Sequence, residues 1–227
     1  MSRDLVPGQV CRICHNVRPQ ARCHWLAAYG LGVPRRPRPE ILGGFFHLYA
    51  RGIGKAALYL DEFDYAAWRG MLARTVEKFG WRCHAYCALP NHFHLLVETP
   101  EPTRAAGMRH LNGSYAQRFN ERYDGSGHVF QGRYGATSIL TDPQLLECSR
   151  YIALNPVRAG VCDEPRRWPW SSYRATAGIV SPPTFLTLDL VHGMCGGAAG
   201  YTRFVAEGHV QGPGPEAVAR TTHASRA

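Results

Sequence analysis

The segment that leaves the chain least freedom is WRCHAYCALPNHFHLLVET, residues 81–99. Its halves are apolar runs of strand length separated by the breaker pair Pro90-Asn91, a pattern that predicts an antiparallel hairpin. Successive side chains of a strand alternate between faces, so Phe93, Leu95 and Val97 point one way while His92, His94 and Leu96 point the other. The apolar set can meet helices. The two imidazoles then stand together on the opposite face, near enough to ligate one ion, and form half of a metal site that lacks a third ligand. A pair of hydrogen-bonded structural histidines would show the same pattern.

The flanking text places this hairpin in a larger order. GFFHLYARG (44–52) reads as an aromatic-rich strand ended by glycine. Residues 62–79 carry Phe63, Ala66, Ala67, Met71, Val76 and Phe79 near helical spacing, with Gly80 as the stop. A second helix is expected over 103–123, with Met108, Leu111, Tyr115 and Phe119 as its apolar stripe and Gly125 and Gly127 closing it. GRYGATSIL (132–140) is the fourth strand. In TDPQLLECSRYIALNP, Asp142 reads as the N-cap of a third helix, Pro143 as its first residue and Pro156 as its stop, near Asn155. Strand, helix, strand, strand, helix, strand is the order of an α+β fold with a ferredoxin-like or RRM-like βαββαβ antiparallel sheet, here with an added C-terminal helix. On this reading 1–40 is a basic, weakly structured extension, 41–175 is the main domain, and 176–227 is a C-terminal extension that is helical around AAGYTRFVAEG.

Charge narrows the partners. The formal net charge is +9, and all of the excess falls before residue 176, which favours a polyanionic partner. Lys55 and Lys78 are the only lysines; arginine suits bidentate phosphate contacts, although a GC-rich genome would produce the same bias. No stretch approaches the ~20 apolar residues of a membrane span, and the start lacks a signal-peptide pattern, so a cytoplasmic protein without a membrane partner is expected. The eight cysteines (11, 14, 23, 83, 87, 148, 162, 195) form no evenly spaced secretory framework and read mostly as small buried hydrophobes. Cys11-x-x-Cys14-His15 followed by Cys23-His24 hints at zinc, but its second half is badly spaced for a ligand pair.

CALPNHFHLLVET, GHVFQGRY and CSRYIALNPVRAG, followed by WPWSSY, occur in this order. Together they resemble the REP-associated tyrosine transposases, single-tyrosine HUH enzymes in which His-hydrophobic-His is the metal motif. The resemblance runs from Gly43 to Ala175 and reaches weakly into YTRFVAEG. It implies that His92 and His94 hold Mg²⁺ or Mn²⁺ and that Tyr151 attacks a scissile phosphate, leaving a 5′-phosphotyrosine link and a free 3′-hydroxyl without a nucleotide cofactor. In related transposases an amide one turn after the tyrosine completes the metal site. Asn155 holds that position here, where distant relatives carry the longer glutamine; its other reading is a helix C-cap. The residues themselves agree on geometry, since Glu147, Tyr151 and Asn155 share one helical stripe beside the more apolar Leu145, Cys148 and Ile152. A phenol with a pKa of about 10 needs such help at neutral pH. Glu147 could serve as a ligand or base but reads as a solvated face residue, and Tyr115, the rival nucleophile, reads as core.

The resemblance also implies a substrate, single-stranded DNA carrying imperfect hairpins (REP-like palindromes) and a short 5′ guide. Candidate contacts are Arg51, Lys55, Arg133, Tyr134, Arg158, Arg166 and Arg167, with Trp168, Trp170 and Tyr173 available for stacking or for packing. The family opens with Met-Pro-Arg close before its first strand, so VPRRPRPE suggests that translation starts at Val33. Two other classes stay open: a non-catalytic nucleic-acid-binding module of RRM-like fold, and a replication-type HUH nickase, which often has two tyrosines where only Tyr151 lies between Asp142 and Pro156. Whether the protein is a monomer or a homodimer with swapped catalytic helices is open too.

Overall fold

A computed structural model describes residues 44–208. The Cys11–His24 cluster, the Val33 start and the tail from 209 lie outside the described residues.

Pro90 and Asn91 form the turn expected of them. They join β2 (Arg82–Leu89) to β3 (His92–Thr99), and the turn's backbone is tied down by its neighbours: Gly52 N–H donates to the Asn91 carbonyl at 2.9 Å and Leu58 N–H to the Pro90 carbonyl at 2.7 Å. Strand β1 (Gly44–Arg51) lies antiparallel to β3, and β4 (Gly135–Ile139) antiparallel to β1. The sheet order is β2-β3-β1-β4. Helices α1 (Glu62–Phe79) and α2 (Arg104–Arg122) make the two crossovers, which gives the ferredoxin-like βαββαβ arrangement. Helix α1 starts on Asp61, whose carboxylate accepts from Asp64 N–H at 3.0 Å, and ends on Gly80 at φ 62°, a conformation that costs glycine nothing. Each strand lies within about three residues of its expected limits.

Alternation divides the core in two. Phe46, Leu48, Phe93, Leu95, Val97 and Tyr86 face α1 and α2, together with Trp68, Leu72, Met108, Leu111 and Tyr115. The opposite face carries Ala85, Cys87, Leu89 and Leu96, and is covered by α3 (Asp142–Arg158) through Leu145, Cys148 and Ile152. Behind α3 pack α5 (Asp189–Cys195) and α6 (Gly197–Ala206), which follow the short α4 (Tyr173–Thr176), and Val191, Tyr201 and Val205 complete this second core. An RRM binds RNA on an open sheet face; here helices occupy that face.

Two expectations fail in α3, and one behind it. Thr141, not Asp142, is the N-cap: its backbone is extended (φ −139°, ψ 154°) and its hydroxyl accepts from Gln144 N–H at 3.4 Å. Asp142 thus sits in the first turn, where a carboxylate favours the positive end of the helix dipole. Pro156 does not stop the helix, which continues to Arg158. So near the end a proline forfeits one backbone bond, and the following turn is closed by Ala159 N–H to Asn155 O at 2.9 Å and Val161 N–H to Pro156 O at 3.0 Å. Behind α3, helix α5 appears where only a glycine-rich break was expected, before the helix anticipated around AAGYTRFVAEG. Among the described residues no helix is long and apolar enough to cross a membrane.

Candidate active site

The β1–β3 register sets the site. Tyr49 lies opposite His94, Arg51 opposite His92 and His47 opposite Leu96. The odd-numbered side chains of β1 therefore share the face of the histidine pair. His94 is 1 % exposed and His47 is fully buried, and the His92 and His94 rings meet edge to face with centroids 5.0 Å apart. Tyr151 comes down from α3 onto this group, its ring perpendicular to those of His94 and His47 with centroids at 5.4 and 5.7 Å. The Arg158 guanidinium, two turns on, lies 5.2 Å from the Tyr151 ring centroid, at cation–π distance.

Both candidate ligand rings are held at Nδ1. Asn91 Nδ2 donates to the Lys55 carbonyl at 3.1 Å, which turns its Oδ1 toward His92 Nδ1, 2.7 Å away. Since that oxygen can only accept, Nδ1 of His92 carries the proton and Nε2 presents a lone pair. His94 Nδ1 meets Nε2 of His47 at 2.9 Å. Burial lowers the pKa of His92 and of His47 to about 4, with Arg51 adding to the shift at His92. His94 is held well below the ordinary imidazole range by burial, and by His47, His92 and Arg51. The cluster is neutral at physiological pH, as metal ligation requires.

Asn155 lies one turn beyond Tyr151, is 6 % exposed, and keeps its side-chain nitrogen buried without a hydrogen-bond partner. A buried amide N–H without a partner is costly, and because it is a donor, any ligation of a cation would fall to Oδ1. Among the described residues no group of three or more His, Cys, Asp and Glu is placed to hold a metal ion; two imidazoles and an amide oxygen would supply part of a divalent-ion shell, and a hard cation would need phosphate and water oxygens for the rest.

The other sequence candidates separate by environment. Tyr115 is core, 1 % exposed, its hydroxyl donating to the Leu58 carbonyl. Glu147 is exposed and pairs with Arg150. Arg51 ends β1 beside His92, Lys55 lies exposed in the following loop, and Arg133 is exposed before β4, with Tyr134 packed against the first core. Arg166 pairs with Glu164, and Arg167 with Asp163 at 3.2 Å. Both tryptophans pack: Trp168 and Trp170 ring centroids lie 5.9 and 4.9 Å from that of Tyr65, and Trp168 Nε1 donates to the Ala88 carbonyl at 2.9 Å. The described cysteines bear out their reading in part, with Cys83, Cys87 and Cys148 buried and Cys162 and Cys195 half-buried.

Sequence reasoning missed His47, Asn91 and Tyr49. The alternation that exposed His92 and His94 also puts His47 and Tyr49 on one side of their strand, but nothing local says that β1 lies beside β3.

Comparison with known proteins decides the family. The pattern of the family described as "Transposase IS200 like" matches residues 53–155, and a Haemophilus influenzae protein named as a REP-associated tyrosine transposase is 30% identical over 127 residues, 51% of this chain and 69% of that one. The chain belongs to the REP-associated tyrosine transposase family. The solved structure of a REP-associated tyrosine transposase bound to a REP hairpin superimposes with a TM-score of 0.57 at 18% identity, covering 70% of this chain and 93% of that one. The likeness extends the agreement to the fold of this transposase.

Proposed function

We propose that this transposase cleaves and rejoins single-stranded hairpin DNA through Tyr151, with a divalent ion held by His92, His94 and Asn155. One observation carries the reading: the Tyr151 phenol lies edge-on over the buried histidine cluster of its own chain. A bound Mg²⁺ or Mn²⁺ would polarise the scissile phosphate and offset the charge that develops on it. The chain's own residues do the rest. The Tyr151 oxygen attacks phosphorus and gives up its proton; the P–O3′ bond breaks, the departing 3′-oxygen takes a proton, and the 5′-phosphate stays on the tyrosine. Attack by a second 3′-hydroxyl reverses these steps and releases Tyr151, so the energy of the original bond is conserved. Arg158 and Arg51 put positive charge beside the phenol and the imidazoles, where a phosphodiester would lie. The partner proposed here is single-stranded DNA with imperfect hairpins, and the solved structural neighbour is bound to a REP hairpin.

The test is incubation with hairpin-bearing oligonucleotides and Mg²⁺ or Mn²⁺, followed by denaturing electrophoresis. The wild-type protein is expected to form a denaturant-resistant adduct that Tyr151→Phe abolishes and Tyr115→Phe preserves. An adduct surviving in Tyr151→Phe would move the nucleophile elsewhere.

A further inference from the structure

We propose that His47 is a positioning residue that fixes His94 in the tautomer able to bind a metal ion. The inference rests on the metal reading of the histidine pair and adds a residue to it.

The geometry is specific. The His47 and His94 planes differ by only 18°, and their centroids are 5.1 Å apart. Face-to-face stacked rings could not also bring two nitrogens to 2.9 Å at that centroid separation, so the imidazoles lie edge to edge, nearly coplanar, along a direct N–H···N bond. One nitrogen of this pair donates and the other accepts. If His47 donated, Nδ1 of His94 would be the acceptor and its proton would sit on Nε2, the nitrogen on the far edge of the ring. If His47 accepts, the His94 proton is on Nδ1 and Nε2 carries the lone pair a metal needs. His47 then bears its own proton on Nδ1, a buried atom with no hydrogen-bond partner.

His92 shows the same device with its sense already fixed. Asn91, oriented by the Lys55 carbonyl, accepts from His92 Nδ1. Both neighbouring imidazoles are thus engaged at Nδ1, which leaves Nε2 as the other ring nitrogen of each. A packing histidine at 47 would have no reason to meet the equivalent atom of the second ring. The Tyr49 and Tyr151 rings both pack on the His47 ring, with centroids at 5.4 and 5.7 Å.

Two readouts test the assignment. Long-range ¹H–¹⁵N spectra of the Mg²⁺-loaded wild-type protein should show protonated Nδ1 on both His47 and His94; a His94 protonated at Nε2 would overturn the proposal. The second is Mn²⁺ affinity, measured by paramagnetic resonance on a Tyr151→Phe background with a hairpin-bearing oligonucleotide. His47→Phe, which keeps a ring and removes the acceptor, should weaken Mn²⁺ binding by about 10–100-fold. His47→Gln, whose amide oxygen reaches where Nε2 lies, should recover most of that loss. Equal losses in the two variants, or none in His47→Phe, would sink the role of His47 while leaving the metal site intact. If His94→Ala leaves Mn²⁺ affinity unchanged, the metal reading itself falls, and the tautomer spectra still report on His47.

Discussion

At the residue scale, three neutral imidazoles packed together make the protein sensitive to acid. The His47 pKa drops to about 4 through burial, so between about 6.5 and 4 the unfolded chain binds a proton there that the folded chain refuses. The contribution of His47 to stability is fully present above 6.5, declines as the pH falls, and is gone below about 4. For a fully buried ring this amounts to about 3 kcal/mol. Urea unfolding of metal-free protein at several pH values between 7.5 and 4.5 should therefore show a falling midpoint, and His47→Gln should flatten part of that fall. Parallel curves for the two proteins would mean that His47 titrates normally. The same residue shows where reading the sequence reached its limit. His92 and His94 declare themselves because they interrupt one apolar strand at a spacing of two. His47 sits in an equally strand-like segment, yet its meaning depends on a pairing between strands separated by a whole helix.

At the element scale, local signals served well where one interaction dominates. Gly80 ends α1 where the sequence placed the stop, because glycine can take a positive φ. At Pro156 two effects compete. The proline removes a backbone bond, but it is buried with Ile152, Ala153 and Leu154 against the second core, and only a turn remains to be lost. Tertiary burial wins, and the helix carries Arg158 onward to lie over Tyr151. Strand β4 shows an opposite dependence on a small residue. A Cβ on Gly135 would stand 2.0 Å from the Tyr49 ring, which lies across this position and beside His47 and His94. Gly135→Ala should force the ring away or bend β4, with a cost of about 1–3 kcal/mol as for other overpacked sites. It should slow adduct formation by more than the lost stability explains. Thermal melting together with adduct rates well below the transition would check this; an unchanged melting temperature would show that Tyr49 has room to turn.

At the scale of the whole molecule, the division of labour between the two sheet faces explains how a basic protein can also build a buried site. The α1–α2 face is an aromatic and aliphatic core, whereas the opposite face holds the imidazoles, with α3 pressed onto it by Val191, Tyr201 and Val205 from the C-terminal helices. The positive charge is not equally available over the surface. Arg166 and Arg167 are paired with Glu164 and Asp163, so contact with DNA would first have to break those pairs. Arg133 is exposed, and Arg158 lies against the tyrosine. Each phosphate contact contributes about 0.7 to the slope of log affinity against log salt for a single strand and about 0.9 for a duplex stem. Replacing Arg133 and Arg158 together by alanine should lower the slope by about 1.5, whereas replacing Arg166 and Arg167 should lower it by less than half as much. Fluorescence anisotropy of a labelled hairpin oligonucleotide across a salt series distinguishes the outcomes. A slope unchanged in the first pair would remove both arginines from the interface, and an equal drop in the second pair would mean that the DNA displaces Glu164 and Asp163, extending the contact surface across the 163–167 segment.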